Sequence, residues 1–179
     1  MKYLIIFFII IFYLTSTNGE QIGGDTGLKL PRYVSLKSND ANLRIGSSTN
    51  YPIKIKYVIK NLPVEIIDEN KNWRKIIDFE KNTGWMHKSL LKGNRYAIID
   101  TPYQEGSQIL HKPKGNVIGK IGNRNVVRVL KCLNKWCYIN YDKHSGWIIK
   151  SNLWGVYNNE TFNIPFYQKI INLIWKINI

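Results

Sequence analysis

Two stretches of this chain, roughly sixty residues apart, carry one pattern of short strands, turns and tryptophans. In the first, Leu62-Pro63-Val64-Glu65-Ile66-Ile67 precedes Asn72-Trp73-Arg74-Lys75-Ile76 and then Thr83-Gly84-Trp85-Met86-His87-Lys88-Ser89-Leu90-Leu91. In the second, Asn125-Val126-Val127-Arg128-Val129-Leu130 precedes Lys135-Trp136-Cys137-Tyr138-Ile139 and then Ser145-Gly146-Trp147-Ile148-Ile149-Lys150-Ser151-Asn152-Leu153. Trp73 maps onto Trp136, Gly84-Trp85 onto Gly146-Trp147, Lys88-Ser89 onto Lys150-Ser151 and Leu91 onto Leu153. Self-similarity of this kind means repeated structure, and it constrains the fold before any single residue does. It divides 179 residues into two small all-β domains.

Within each unit the apolar positions alternate. Val34 and Leu36, Leu43 and Ile45, Val64 and Ile66 are each separated by a polar neighbour, which is strand periodicity. Polar turns at 69–72 and 80–83 break the strands, and Lys92-Gly93-Asn94 joins the units almost without a linker. Short strands with tight polar turns predict a meander closed into a barrel. The predicted organisation is a signal segment 1–19, a flexible Gly-rich leader 20–30, a first barrel 31–93, a second barrel 94–158 and a tail 159–179. Ile109-Leu110-His111 stands where Leu43-Arg44-Ile45 stood, and the loop after it is shorter. The second unit is therefore expected to have lost part of the first unit's groove.

Trp73…Ile76…Gly84-Trp85 and Trp136…Ile139…Gly146-Trp147 resemble the bacterial SH3-like (SH3b) domain. The opening Leu30-Pro31-Arg32-Tyr33-Val34-Ser35-Leu36-Lys37 and the closing Leu153-Trp154-Gly155-Val156-Tyr157 further resemble small exported tandem-SH3 proteins of alphaproteobacteria. The resemblance covers roughly residues 30–158; the first half of the second repeat departs from it, and the tail after Glu160 has no counterpart in it. It implies two tandem SH3-like barrels whose aromatics line a groove for extended peptides or glycan stems. Trp73, Trp136 and Tyr51 are the groove candidates. Trp85 and Trp147 belong either to the groove or to the core, and Arg44 is either a carboxylate contact or a solvated strand-edge arginine. Glycine before tryptophan suits a close backbone approach where the sheet bends.

The ends and the charge bear on location. Lys2 precedes an unbroken apolar run from Leu4 to Leu14, shorter than the roughly 20 residues that span a bilayer but suited to a secretory signal. Thr17-Asn18-Gly19 offers small residues for cleavage before Glu20, with an uncleaved anchor as the alternative. The chain carries a formal charge of +14, which favours anionic partners. Lysine predominates over arginine and Asn and Ile are abundant, so codon bias is an equal explanation. No basic run of five or more residues occurs, and nucleic acid is not an expected partner.

Cys132 and Cys137 flank a turn between two expected strands, close enough to bridge across a hairpin; free buried thiols are the alternative. Two thiolates with no histidine at ligand spacing leave tetrahedral zinc incomplete, so neither metal nor cofactor is expected. His87, His111 and His144 fall at strand ends or turns, and Asp78 and Glu80 read as an ordinary solvated turn, so no catalytic set is expected. In the tail, Phe166, Ile170, Leu173, Ile174 and Ile177 recur at helical spacing, predicting a short amphipathic helix up to Ile179. That helix packs on the barrels, pairs with a second chain, or lies on a membrane surface. The expected function is a periplasmic, non-enzymatic module that binds cell-wall peptide or glycan, or alternatively a protein-interaction module of an envelope complex. Intact-mass measurement of the mature protein should show a chain beginning at Glu20; a chain retaining Met1 would establish the anchor instead.

Overall fold

A computed structural model describes residues 21–164. The expected signal segment 1–19 and the expected helix from Phe166 to Ile179 lie outside the described residues. Among the described residues no helix is long and apolar enough to cross a membrane.

The architecture is all-β. A hairpin of β1 (Gln21–Ile22) and β2 (Lys29–Leu30) precedes the first barrel. That barrel comprises β3 (Arg32–Leu36), β4 (Ala41–Arg44), β5 (Ile53–Tyr57), β6 (Pro63–Asn70), β7 (Trp73–Ile77), β8 (Thr83–His87) and β9 (Leu91–Lys92). The second comprises β10 (Tyr96–Ile99), β11 (Ser107–Leu110), β12 (Val117–Ile121), β13 (Val126–Cys132), β14 (Trp136–Tyr141), β15 (His144–Ile149) and β16 (Leu153–Trp154). Across the sheets the strands run β5-β4-β8-β7-β6-β3-β9 and β12-β11-β15-β14-β13-β10-β16, the same path twice. Even the irregularities repeat. Register shifts fall between Leu43 and Arg44 and between Ile66 and Asp68, and again between Ile109 and Leu110 and between Val129 and Lys131. Matching bulges at matching places bend the strands that a small barrel must bend.

Strand parity decides what fills each core. In β8, Gly84 and Met86 face inward, so Trp85 faces outward; in β15, Gly146 and Ile148 face inward and Trp147 outward. Trp85 and Trp147, candidates for core or groove from the sequence, are half-buried on the outer faces. The cores hold Leu36, Leu43, Val64, Ile76 and Met86 in one barrel, and Ile99, Val127, Ile139, Ile148 and the two cysteines in the other. A Cβ on Gly84 would lie 2.7 Å from the Arg44 carbonyl oxygen, and one on Gly146 would lie 2.3 Å from Ile109 Cγ2. Glycine is required there because β4 and β11 cross β8 and β15 at that point, pairing Arg44 with Trp85 and Leu110 with Trp147. Cys132 and Cys137 are disulfide-bonded across the β13–β14 turn. Closing so short a loop contributes about 2 kcal/mol in the chain-entropy model, which matters in a barrel of this size.

Two expectations change. Residues 21–30 are a bound hairpin rather than a flexible leader. Glu69, whose side chain is 1 % exposed, accepts hydrogen bonds from the Asp25 and Thr26 amides (3.2 and 3.0 Å), Thr26 Oγ1 (2.8 Å) and Arg32 (2.5 Å), with Arg74 at 3.4 Å. Burial alone would push the Glu69 carboxyl up, but the bonds from Arg32 and Thr26 and the charges of Arg32 and Arg74 outweigh it and hold it low. Asp78 is buried rather than solvated, accepting bonds from the Tyr57 hydroxyl (2.7 Å) and the Asn82 amide (2.8 Å), and so shapes the β7–β8 turn.

The barrels meet along an aromatic seam. Tyr33 packs on Trp154 and Tyr157 with ring centroids 5.3 and 4.7 Å apart, and Phe79 packs on Trp154 at 5.6 Å. The Tyr157 hydroxyl donates to Glu65 at 2.7 Å, while Arg124 pairs with Glu80 and covers the Phe79 ring. Arg95 anchors the lower edge through Glu160 and the Gly155 carbonyl (2.8 Å). Burial, then the Glu65 charge, pushes the Tyr33 hydroxyl up to about 12.

The hairpin anchor is testable by amide hydrogen exchange. Glu69→Gln should reduce protection of the Asp25 and Thr26 amides at least about tenfold, because hydrogen bonds to a charged group contribute about 1.5–3 kcal/mol. In the wild-type protein the Glu69 carboxyl titrates lower when folded than when unfolded. Its contribution is therefore complete above the ordinary carboxylate range and lost as pH falls through the depressed folded value. Unchanged protection in the variant would show that strand pairing alone holds the hairpin.

Candidate functional site

A cleft lies in the second barrel, the unit expected to have lost part of the first unit's groove. The loop after β11 is indeed shorter than the loop after β4, 111–116 against 45–52, but the loop before β11, 100–106, is longer than its counterpart 37–40. That loop forms one wall. Asn123 struts it, accepting from the Thr101 amide (3.1 Å) and donating to the carbonyls of Thr101 and Tyr103 (both 2.9 Å). The loop closes at Gly106, whose φ of +83° belongs to glycine and whose added Cβ would sit 2.0 Å from the Ile121 carbonyl oxygen.

The resulting cleft is about 840 Å³. Trp136, Ile149 and Leu110 form its apolar floor, and Tyr103, 69 % exposed, stands on the loop wall. Gln104, Gln108, Ser107 and Asn152 supply amides and a hydroxyl around it, with Asn152 donating to Ser107 Oγ at 2.8 Å. Among the described residues the charged groups on the rim are Lys120 and Glu105, which pair with each other. Trp136 opens β14 and faces Ile149 across the sheet. Flat aromatic faces beside neutral amides suit the apolar faces of sugars and the backbone of extended peptides.

Of the six residues expected to form a groove, this cleft takes Trp136 alone. Trp73 lies edge-on to His87 at 5.4 Å in the first barrel and lines a cleft of about 210 Å³ with Ser47, Asn70, Lys71 and Asn72. Arg44, Tyr51 and Trp85 gather on that barrel's outer face. Arg44 donates to the Tyr51 carbonyl at 2.7 Å and pairs with Trp85 across the strands. Trp147 packs at a tilt against Tyr138, ring centroids 5.3 Å apart, under Lys131. Tyr103, Gln104, Asn123 and Asn152 were not singled out from the sequence. The Pro102-Tyr103 pair in a Gly-closed loop longer than its counterpart in the first repeat was the available signal.

His87 Nδ1 lies 2.7 Å from Ser89 Oγ and accepts from the Ser89 amide, a cap on the short 3₁₀ turn Lys88–Leu90. Among the described residues no three His, Cys, Asp or Glu side chains gather as a metal-binding set.

The bacterial SH3 domain family model matches residues 37–93 and again 112–155. The chain belongs to that family and carries its domain in tandem. No curated protein matches. Similar solved structures include NlpC1 from Trichomonas vaginalis, with 15 % identity and a TM-score of 0.29 over 74 % of this chain and 48 % of that one. NlpC2 from the same organism has 14 % identity and a TM-score of 0.32 over 74 % and 51 %. An NlpC/P60 family protein from Bacillus cereus ATCC 10987 has 12 % identity and a TM-score of 0.31 over 78 % and 61 %. The chain thus spans about half the length of the two Trichomonas proteins.

The loop wall gives a direct test. Gly106→Ala should cost about 1–3 kcal/mol in urea unfolding, the range for a residue forced into sparsely populated backbone. It should also shift the NMR resonances of Tyr103 and Trp136 while leaving those of the first barrel in place.

Proposed function

We propose that the protein is an exported, non-enzymatic module that holds cell-wall peptide or glycan in the cleft of its second barrel. The observation that carries this reading is the cleft itself: an open concavity floored by Trp136, flanked by Tyr103 and ringed by neutral amides. Sugars and peptides present alternating apolar faces and amide or hydroxyl groups, which this lining complements. The net charge of +14 adds attraction to a carboxylate-bearing wall. Export is supported by the apolar run from Leu4 to Leu14 and by a disulfide, a bond that persists in oxidising compartments. A binding role rather than catalysis is supported by the bridging of both cysteines and by the exposed turn and strand-end positions of His111 and His144.

A second reading, assembly with an envelope protein, draws on the outermost strands. β5 and β12 carry exposed Ile53, Val117 and Ile118, apolar groups at edges open to strand pairing. Crosslinking in cells distinguishes the two, since discrete protein adducts through these strands belong only to the second.

The first reading is tested with purified sacculi at low salt. The wild-type protein should be retained, and Trp136→Ala should weaken retention at least about tenfold, as expected for an aromatic anchor in a binding centre. Trp73→Ala should change it little. Absence of wild-type retention at low salt, where charge attraction is strongest, would overturn the proposal.

A further inference from the structure

The repeat places a tryptophan at the same point of each barrel, but the surroundings of the two differ. On the outer face of the second barrel, directly opposed residues form the row Lys131, Tyr138, Trp147, Leu110. The matching row in the first barrel is Asp68, Lys75, Trp85, Arg44. Residues opposed in this way share a face, with Cβ atoms about 4.5–5.5 Å apart. Trp85 therefore has a cation on either side, where Trp147 has a tyrosine and a leucine.

The Trp147 ring is already occupied, with Tyr138 against it and Lys131 Nζ 4.9 Å from its centroid. Trp85 is half-buried, yet among the described residues no aromatic ring or cation lies over its indole. Its N–H is neither hydrogen-bonded to them nor buried. The Lys75 side chain has no hydrogen bond or ion pair among the described residues, and the Arg44 guanidinium bonds only to the Tyr51 carbonyl (2.7 Å). Lys54 brings a third positive group to the start of the same strand, donating to the Thr83 carbonyl at 3.0 Å. Asp68, the carboxylate at the end of the row, accepts from the Glu69 amide (2.8 Å) and pairs with no cation among the described residues. The face thus presents an open indole, a free donor and unpaired cations on both flanks.

Charge complementarity calls for an anionic occupant, and the sheet decides between its chemical classes. Extended peptides draw affinity from main-chain bonds at an open strand edge. Trp85 lies on β8, between β7 and β4, where the backbone is engaged within the sheet. A sugar needs no such edge: its apolar ring face packs on an indole, its hydroxyls meet the N–H, and an acid group meets the flanking cations. We infer that Trp85, Lys75 and Arg44 form a binding site for an acidic sugar chain bearing carboxylates. The site is separate from the cleft of the second barrel, whose rim charges are paired, and stands whether or not that cleft holds wall polymer.

Polygalacturonate, a carboxylate-bearing sugar polymer, titrated into the full chain is the direct probe, read by NMR of the indole N–H groups. It should shift the Trp85 resonance to saturation, while neutral dextran should not. Polyglutamate at equal charge should bind at least about tenfold more weakly, since it lacks the ring that packs on the indole. Trp85→Ala and the double variant Arg44→Gln/Lys75→Gln, followed by calorimetry, should each weaken polygalacturonate binding at least about tenfold. Lys143→Gln, which removes a charge from the exposed β14–β15 turn, should leave it unchanged. Equal binding of polyglutamate, equal weakening by the Lys143 variant, or full affinity in Trp85→Ala would overturn the site. Circular dichroism checks that the variants fold. If they do not, Lys75→Gln alone, which breaks no side-chain bond among the described residues, takes their place: a loss of about threefold supports the site and no loss overturns it.

Discussion

Each barrel closes at one crossing, where an early strand passes over the glycine of the Gly-Trp pair. With the Arg44 carbonyl and Leu43 on one side of Gly84, and Ile109 and the Leu110 carbonyl on one side of Gly146, no side chain fits between the strands. The crossing also sets strand parity. It turns Met86 and Ile148 into the cores and leaves the adjacent tryptophans outside, so one small residue fixes both closure and the composition of each face. The duplicated bulges follow from the same need, since a seven-stranded path of this size closes only if particular strands bend.

Two closed barrels would still be independent bodies without the seam between them. Tyr33 and Phe79 on one side and Trp154 and Tyr157 on the other bury aromatic surface that neither barrel uses in its own core. Favourable aromatic pairs contribute about 0.5–1.5 kcal/mol each beyond their buried area. The Tyr157–Glu65 bond and the Arg124–Glu80 pair tie the same surfaces with directional contacts. The short connection from Lys92 to Tyr96 makes such packing inexpensive in chain entropy, because the barrels are already held close.

The strands, the duplication and the glycine crossing were legible because they are written as periodic pattern. Trp136 was legible for the same reason, standing at the head of a repeated strand. Other features belong to contacts between residues distant in the chain. Glu69 reaches back some forty residues to the hairpin, so Gly23, in a stretch whose glycines suggested flexibility, instead lets the chain pass against its buried carboxylate. Asp78 looked solvated beside Glu80 and the nearby lysines, yet Tyr57 from another strand buries it. The cleft wall was missed because 100–106 extends a loop that is only 37–40 in the first repeat, and comparison of the two units emphasised what they share. The outward placement of Trp85 was available from strand parity once Met86 was recognised as the inward residue.

The barrel bearing the Trp136 cleft also encloses its sulfurs. Cys132 and Cys137 are both 0 % exposed, and Phe162 closes over Cys132 by pairing with its backbone. A reductant reaches the bond only by opening the domain, so a change in the surroundings after folding leaves it intact. The thiol content of the folded molecule is thus a record of the environment in which the second barrel first closed.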